Sequence, residues 1–91
     1  MIVKISNYGK LDDKNFIEYL VNDLPLNQMN FLNENLEEET EISGNTLKLK
    51  MYFDDILYPF QSDVAQFRID DFIAREEIEM NMFLMSFLED M

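Results

Sequence analysis

The chain has 91 residues, of which 19 are acidic and 7 are basic, so its formal net charge is −12. Hydrophobic residues make up 47% of it and Gly and Pro number two each, which indicates one folded domain over residues 1–91 rather than a disordered acidic tail. The absence of cysteine and histidine excludes disulfides, zinc–thiolate sites, a cysteine nucleophile and an imidazole base, and it fits a reducing cytoplasm.

The first predicted elements are a short strand and a helix. Residues 2–6 are rich in β-branched side chains and predict a strand, and the NYGK stretch after them predicts a turn. The next apolar residues recur at a one-three-one-three spacing: Phe16, Ile17, Leu20, Val21 and Leu24. This spacing predicts an N-terminal helix that ends at Pro25.

Residues 26–38 give conflicting signals. Leu26, Met29, Leu32 and Leu36 fall on one helical stripe, but five amide side chains, four of them asparagine, compete with the backbone hydrogen bonds of a helix. We therefore expect a loop that contains one helical turn. The sequence leaves open whether this loop is ordered alone or only when a partner binds.

Residues 39–53 predict a β-hairpin. Gly44 and Asn45 suit a two-residue turn, and apolar and polar residues alternate on the strand that follows. One register satisfies the turn and the charges, with these pairs: Ser43 with Thr46, Ile42 with Leu47, Glu41 with Lys48 and Glu39 with Lys50. Opposite charges across two strands contribute about 0.2–1 kcal/mol per pair. The hairpin's own lysines therefore account for part of the densest acidic run.

The last third of the chain predicts helices. Asp54 and Asp55 suit the start of a short helix interrupted at Pro59, and a long helix is expected over residues 64–90, with a break allowed near residues 74–76. Met82 and Met85 lie off the main apolar stripe of this helix and need cover from elsewhere. The sequence leaves open whether the apolar run over residues 80–88 is core or interface.

These elements together predict an α+β fold. The N-terminal strand and the 39–53 hairpin form a small antiparallel sheet, and the N-terminal helix and the C-terminal helices cover its apolar face. That face is predicted to present these residues: Ile42, Leu47, Leu49, Met51 and Phe53.

The acids are concentrated in the second half of the chain. Residues 51–91 hold ten acids and two arginines, whereas residues 1–50 hold nine acids and five lysines. Such a charge repels nucleic acids and anionic membranes and attracts basic partners, and no apolar run approaches the roughly 20 residues that cross a bilayer. The predicted partner-binding acids are Asp54, Asp55, Asp63, Asp70, Asp71, Glu76, Glu77 and Glu79.

Acids at helical spacing can imitate the regular charges of a nucleic-acid backbone. In size and charge the chain resembles small acidic inhibitors, often phage-encoded, that block restriction or CRISPR nucleases by imitating DNA or RNA. This resemblance implies a non-enzymatic, cytoplasmic inhibitor of a basic nucleic-acid enzyme. The carboxylate pairs lack the spacing of a calcium loop, and no catalytic motif is present, so we expect no metal, no cofactor and no enzymatic activity.

A second hypothesis is a protein-interaction subunit such as an antitoxin, adaptor or immunity protein. Here the apolar C-terminal helix binds the partner, or a second copy in a homodimer, through Met82, Met85 and Phe87. The acids then only keep the protein soluble. Salt distinguishes the two hypotheses, because exposed charges are screened beyond about 8–10 Å at physiological ionic strength whereas apolar contacts are not.

Overall fold

The structure, a computed structural model, describes residues 1–11, 14–54 and 66–91, with Leu11, Asp54 and residues 66–68 described by backbone alone. The described chain forms these elements: β1 (Ile2–Leu11), β2 (Lys14–Asn22), α1 (Leu26–Asn35), β3 (Glu39–Ser43), β4 (Thr46–Asp54) and α2 (Gln66–Leu88). The strands join in one antiparallel sheet of order β1-β2-β4-β3. The fold is therefore α+β, as predicted.

The hairpin of β3 and β4 has the predicted register. Ser43 lies opposite Thr46, and the four residues before Ser43 pair in step with β4, so both predicted pairs of glutamate and lysine are present. Gly44, the first turn residue, has a φ of 62°. This backbone conformation strains any side chain with a Cβ, which explains why glycine stands at the first position of the two-residue turn.

The prediction of a helix over residues 16–24 is wrong, because this stretch is the central strand β2. Its residues alternate between buried and half-buried positions, with Ile17, Tyr19 and Val21 almost fully buried. Phe16 and Leu20, on the other face, are also apolar and half-buried. A strand with apolar residues on both faces therefore reproduces the one-three-one-three spacing of a helix.

The predicted turn at the NYGK stretch is also wrong, because β1 continues through it. The pairing of β1 with β2 shifts register between Ile5 and Asn7, which is the mark of a β-bulge. Gly9 lies opposite Phe16, and a Cβ at Gly9 would sit 3.5 Å from the ring of Phe16. Gly9 is therefore a residue within the strand, and the ring of Phe16 packs over it. The strand β1 extends to Leu11.

The loop predicted over residues 26–38 is instead the helix α1 for most of its length. Pro25 precedes it, and the Pro25 carbonyl accepts hydrogen bonds from the N–H groups of Gln28 and Met29 at 3.0 Å. Met29 and Leu32 are almost completely buried. Burial of these side chains outweighs the weak helix propensity of the asparagines, which lie on the exposed side.

The core lies between one face of the sheet and the two helices. It consists of residues from five elements: Val3, Ile17, Tyr19, Val21, Met29, Leu32, Leu47, Leu49, Met80 and Leu84. Ile42, Met51 and Phe53 pack against this cluster, so the predicted apolar face of the hairpin is confirmed. α2 is continuous from Gln66 to Leu88, without the break allowed near residues 74–76.

The predicted short helix near Pro59 lies outside the described residues. In the part of the chain that the structure describes, neither helix has the length and apolar character needed to cross a membrane.

Candidate functional site

The face of α2 that points away from the sheet carries three exposed apolar side chains, which we call the outer stripe. Ile78, Met82 and Met85 follow each other at spacings of four and three residues, and they expose 61%, 65% and 56% of their surface. Met80 and Leu84 on the opposite face of the same helix are buried. Single exposed apolar residues are ordinary, but neighbours on successive turns form a continuous patch.

A groove runs beside the outer stripe, between α2 and the edge strand β1. Its volume is about 360 Å³, and these residues line it: Val3, Lys4, Ala74, Glu77, Ile78, Asn81 and Met82. The apolar surface of the outer stripe thus continues into a depression. A partner that reached this groove would contact both α2 and β1.

Glu77 links α2 to the strand β1. The backbone N–H of Ile5 donates a hydrogen bond of 2.8 Å to Oε2 of Glu77, across 72 residues of sequence. Ile5 stands at the β-bulge of the sheet's edge strand, where backbone donors lie open to other chains. Glu77 therefore satisfies an edge donor and fixes the position of the helix.

Glu76 faces the core side of α2, toward Tyr19. Burial raises the pKa of Glu76 above its ordinary value, and the charge of Glu79 and a hydrogen bond with it raise that pKa further. The Tyr19 hydroxyl, which donates to Glu76, opposes this rise. Burial also raises the pKa of Tyr19, and the negative charges of Glu76 and Glu79 add to the effect. Glu76 therefore belongs to the packing of α2 on the sheet.

The predicted partner-binding acids occupy different sides of α2. Asp71 forms an ion pair with Arg75 one turn later, and both side chains are well exposed, so the pair contributes little to stability. The hydrogen bond that Arg75 donates to Asp71 is the main reason that the pKa of Arg75 is raised. Asp70 and Glu79 are exposed, whereas Glu76 and Glu77 are half-buried and face the sheet. The five described acids thus do not form one row.

The remaining predicted site residues are placed as follows. Asp55 and Asp63 lie outside the described residues, as does the side chain of Asp54. The ring of Phe87 lies 5.7 Å from the ring of Phe31, so Phe87 belongs to the contact between α2 and α1 rather than to the outer stripe. Among the described residues, no group of three potential metal-ligating side chains occurs.

Sequence reasoning missed Ile78 as part of the exposed surface. Ile78 lies four residues before Met82, which is the helical spacing that places two side chains on one face. Once Met82 was recognised as lying off the core stripe, the same spacing would have identified Ile78.

The lysines and the surplus of acids are distributed unevenly along the chain. All five lysines lie in the strands, and on the face opposite the helices Lys48 and Lys50 stand against glutamates of β3. Lys50 also lies over the ring of Phe16, with its Nζ 5.3 Å from the ring centre. Residues 66–91 hold seven acids and two arginines, a net charge of −5. The outer stripe therefore lies on a segment with a surplus of acidic residues.

The raised pKa of Glu76 makes stability depend on pH in a direction that can be tested. A carboxyl group whose pKa is higher in the folded state than in the unfolded state stabilises the fold when the pH is below its unfolded-state pKa. This contribution is lost as the pH rises through the folded-state pKa. Glu76→Gln cannot ionise, so the variant does not lose this stability as the pH rises, and its amide oxygen can still accept a hydrogen bond from Tyr19. We expect the variant to be more stable than the natural protein at pH 7 and to lose this advantage near pH 4, as measured by urea unfolding. Glu89→Gln, the same charge change at an exposed position, is the control, and an equal gain in that variant would contradict the role assigned to burial.

Comparison with known families places the chain in one of them. Residues 2–90 match the family model described as "Family of unknown function (DUF5750)", so the chain belongs to this family. None of the curated proteins matches the chain.

Proposed function

We propose that this protein is a binding protein that attaches to a basic partner protein through the outer stripe of α2. The observation that supports this most is the exposure of Ile78, Met82 and Met85 on successive turns of a helix whose other face is anchored in the core. The partner's basic character follows from the net charge of −5 over residues 66–91. The absence of cysteine suits a partner in a reducing cytoplasm.

The apolar and acidic parts of this surface have different tasks. Complete burial of an exposed Ile or Met side chain contributes about 1.5–3 kcal/mol, so covering a residue that is already partly shielded contributes about 1–2 kcal/mol. The acids around the stripe contribute less affinity because water screens them, but they accelerate the encounter with a basic surface. We therefore assign affinity to the outer stripe and attraction to the acids.

The second candidate is an inhibitor that occupies the basic groove of a nucleic-acid enzyme by imitating DNA or RNA. The uneven distribution of charge supports it, since residues 66–91 carry a net charge of −5 while lysines accompany the glutamates of the sheet. Several of the described acids, however, make contacts within the protein, among them Asp71 with Arg75, Glu76 with Tyr19 and with Glu79, and Glu77 with Ile5. Fewer carboxylates than predicted are thus available to imitate phosphates.

Affinity capture of the basic partner with matched variants tests the proposal and separates it from the second candidate. Ile78→Asn and Met82→Gln remove apolar surface and leave the net charge unchanged, whereas Glu79→Gln combined with Glu89→Gln removes two charges and leaves the outer stripe intact. We expect each stripe substitution to weaken capture by about tenfold, because about 1.4 kcal/mol of contact is lost, and the interaction to persist at high salt.

Leu26→Gln is the matched control, because Leu26 is 60% exposed but belongs to α1 and does not line the groove. This variant should retain the partner. Capture that survives both stripe substitutions but disappears with the charge variant, or at high salt, would contradict the proposal and favour imitation of a nucleic acid.

A further inference from the structure

Resting on the binding function proposed above, we infer that the partner's binding segment is a cationic amphipathic helix that lies along α2, with its apolar side in the groove beside β1. The inference deepens that function by naming the chemistry and conformation of the segment. It rests on the spacing of the outer stripe, on the hydrogen bond and the β-bulge that interrupt the neighbouring strand edge at Ile5, and on the charges around the groove.

The edge strand β1 is poorly suited to bind an extended segment. A strand that added to this edge would need the outward backbone donors and acceptors of β1. The N–H of Ile5 already donates to Glu77 at 2.8 Å, and the β-bulge between Ile5 and Asn7 interrupts the regular ladder. A helix forms its backbone hydrogen bonds internally, so it can bind in the groove without pairing with the backbone groups of β1.

The outer stripe has the dimensions of a helix-packing surface. Ile78, Met82 and Met85 lie at four- and three-residue spacings, which are the spacings of the ridges that interlock when two helices pack. They extend about 10 Å along the axis, which corresponds to about two turns of a partner helix. Ala74 continues the groove toward the start of α2, and its small side chain leaves room for close approach.

The charges around the outer stripe favour lysine and arginine on the partner helix. Glu79 is exposed on one flank, and Glu89 and Asp90 are exposed beyond Met85. Of the nearby cations, Lys4 lines the groove and Arg75, one turn before Ile78, is paired with Asp71. A second copy of this chain would bring the same acids to the same rim and a further net charge of −12. This repulsion disfavours a homodimer and leaves a basic helix as the complementary occupant.

Two synthetic peptides of identical composition, made of leucine and lysine, test the inference. In the first, leucines recur every three or four residues so that they form one side of a helix, and in the second they alternate with lysines as in a strand. Both are about 18 residues long, or five helical turns. We expect the helical-pattern peptide to bind at least about tenfold more tightly and to gain helical circular dichroism on binding. Ile78→Asn and Met82→Gln should each weaken it by about tenfold, and Leu26→Gln should not.

Other outcomes overturn the inference. Equal binding of the two peptides, or no effect of the stripe substitutions, would mean that charge alone attracts the probes. Sedimentation of the free protein as a dimer that Met82→Gln dissociates would assign the outer stripe to a second copy. If the peptides fail but capture of a basic partner still depends on the stripe, only the helical nature of the segment is wrong. If capture is also independent of the stripe, the proposed function fails as well.

Discussion

Replacing Leu84 with alanine should lower the free energy of unfolding by about 2–5 kcal/mol, whereas the same change at the next residue, Met85, should alter it by less than about 0.5 kcal/mol. Leu84 has no exposed surface and anchors α2 in the core, so its truncation leaves a cavity. Met85 is 56% exposed on the opposite face and loses few contacts. Urea unfolding of both variants, followed by circular dichroism, measures the two effects.

This pair of variants determines which face of α2 is core. Small domains have free energies of unfolding of only about 5–15 kcal/mol, so Leu84→Ala removes a large fraction of the total. Should Met85→Ala destabilise the protein as much as Leu84→Ala, the helix would be rotated relative to the structure. The outer stripe would then be buried in the protein itself and unable to bind a partner.

Glu77→Ala should have the second largest effect, a loss of about 1–3 kcal/mol in the free energy of unfolding. The carboxylate accepts a hydrogen bond of 2.8 Å from the N–H of Ile5 in a partly buried position. Hydrogen bonds to charged groups contribute about 1.5–3 kcal/mol to stability when they are well shielded from water. Without Glu77 this donor of β1 loses its partner. Glu77→Gln keeps an acceptor oxygen, so its free energy of unfolding should fall by less than half of the decrease expected for Glu77→Ala.

The control for Glu77 is Glu34→Ala, which removes the same side chain from an exposed position on the helix α1. It should leave the free energy of unfolding nearly unchanged. Hydrogen exchange gives a local readout, since the Ile5 amide should exchange faster in Glu77→Ala than in the natural protein. Equal destabilisation by both alanine substitutions would show that Glu77 acts only through helix propensity and not through β1.

The hairpin could be predicted from the sequence because its determinants are local. The turn at Gly44, the alternation along β4 and the opposite charges across the strands all specify one register within about fifteen residues. The strand β2 could not be identified in this way. It lies between β1 and β4, and its buried residues pack in one cluster with residues that come much later in the sequence: Leu47, Leu49, Met80 and Leu84.

For α1 the prediction was wrong in the opposite direction, since a loop was expected where a helix forms. Its asparagines argued against a helix, but Met29 and Leu32 are held in the core by β-strands and by α2, and this burial decides the conformation. In both cases tertiary contacts outweighed local preference. The fold class was nevertheless predicted correctly, because it requires only a sheet covered by helices. The hairpin and α2 were enough to indicate such a fold.

The candidate site was predictable in part. Met82 and Met85 stood out because they lie off the core stripe of a predicted helix, and the structure exposes both. The contacts of Glu76 and Glu77 could not be foreseen, because Tyr19 and Ile5 lie at least 57 residues earlier in the chain. Acids that appeared to be without partners in the sequence therefore turned out to hold α2 on the sheet.

Photo-crosslinking from position 82 tests most directly whether a basic partner covers the outer stripe. A photo-reactive amino acid placed there reports which molecule covers the outer stripe, and the same residue at position 26, also exposed but on α1, serves as the matched control. We expect a covalent adduct with a basic protein from position 82 and none from position 26. Adducts of equal yield from both positions, or adducts from position 82 with a second copy of this chain alone, would contradict the proposal that a basic partner covers the outer stripe.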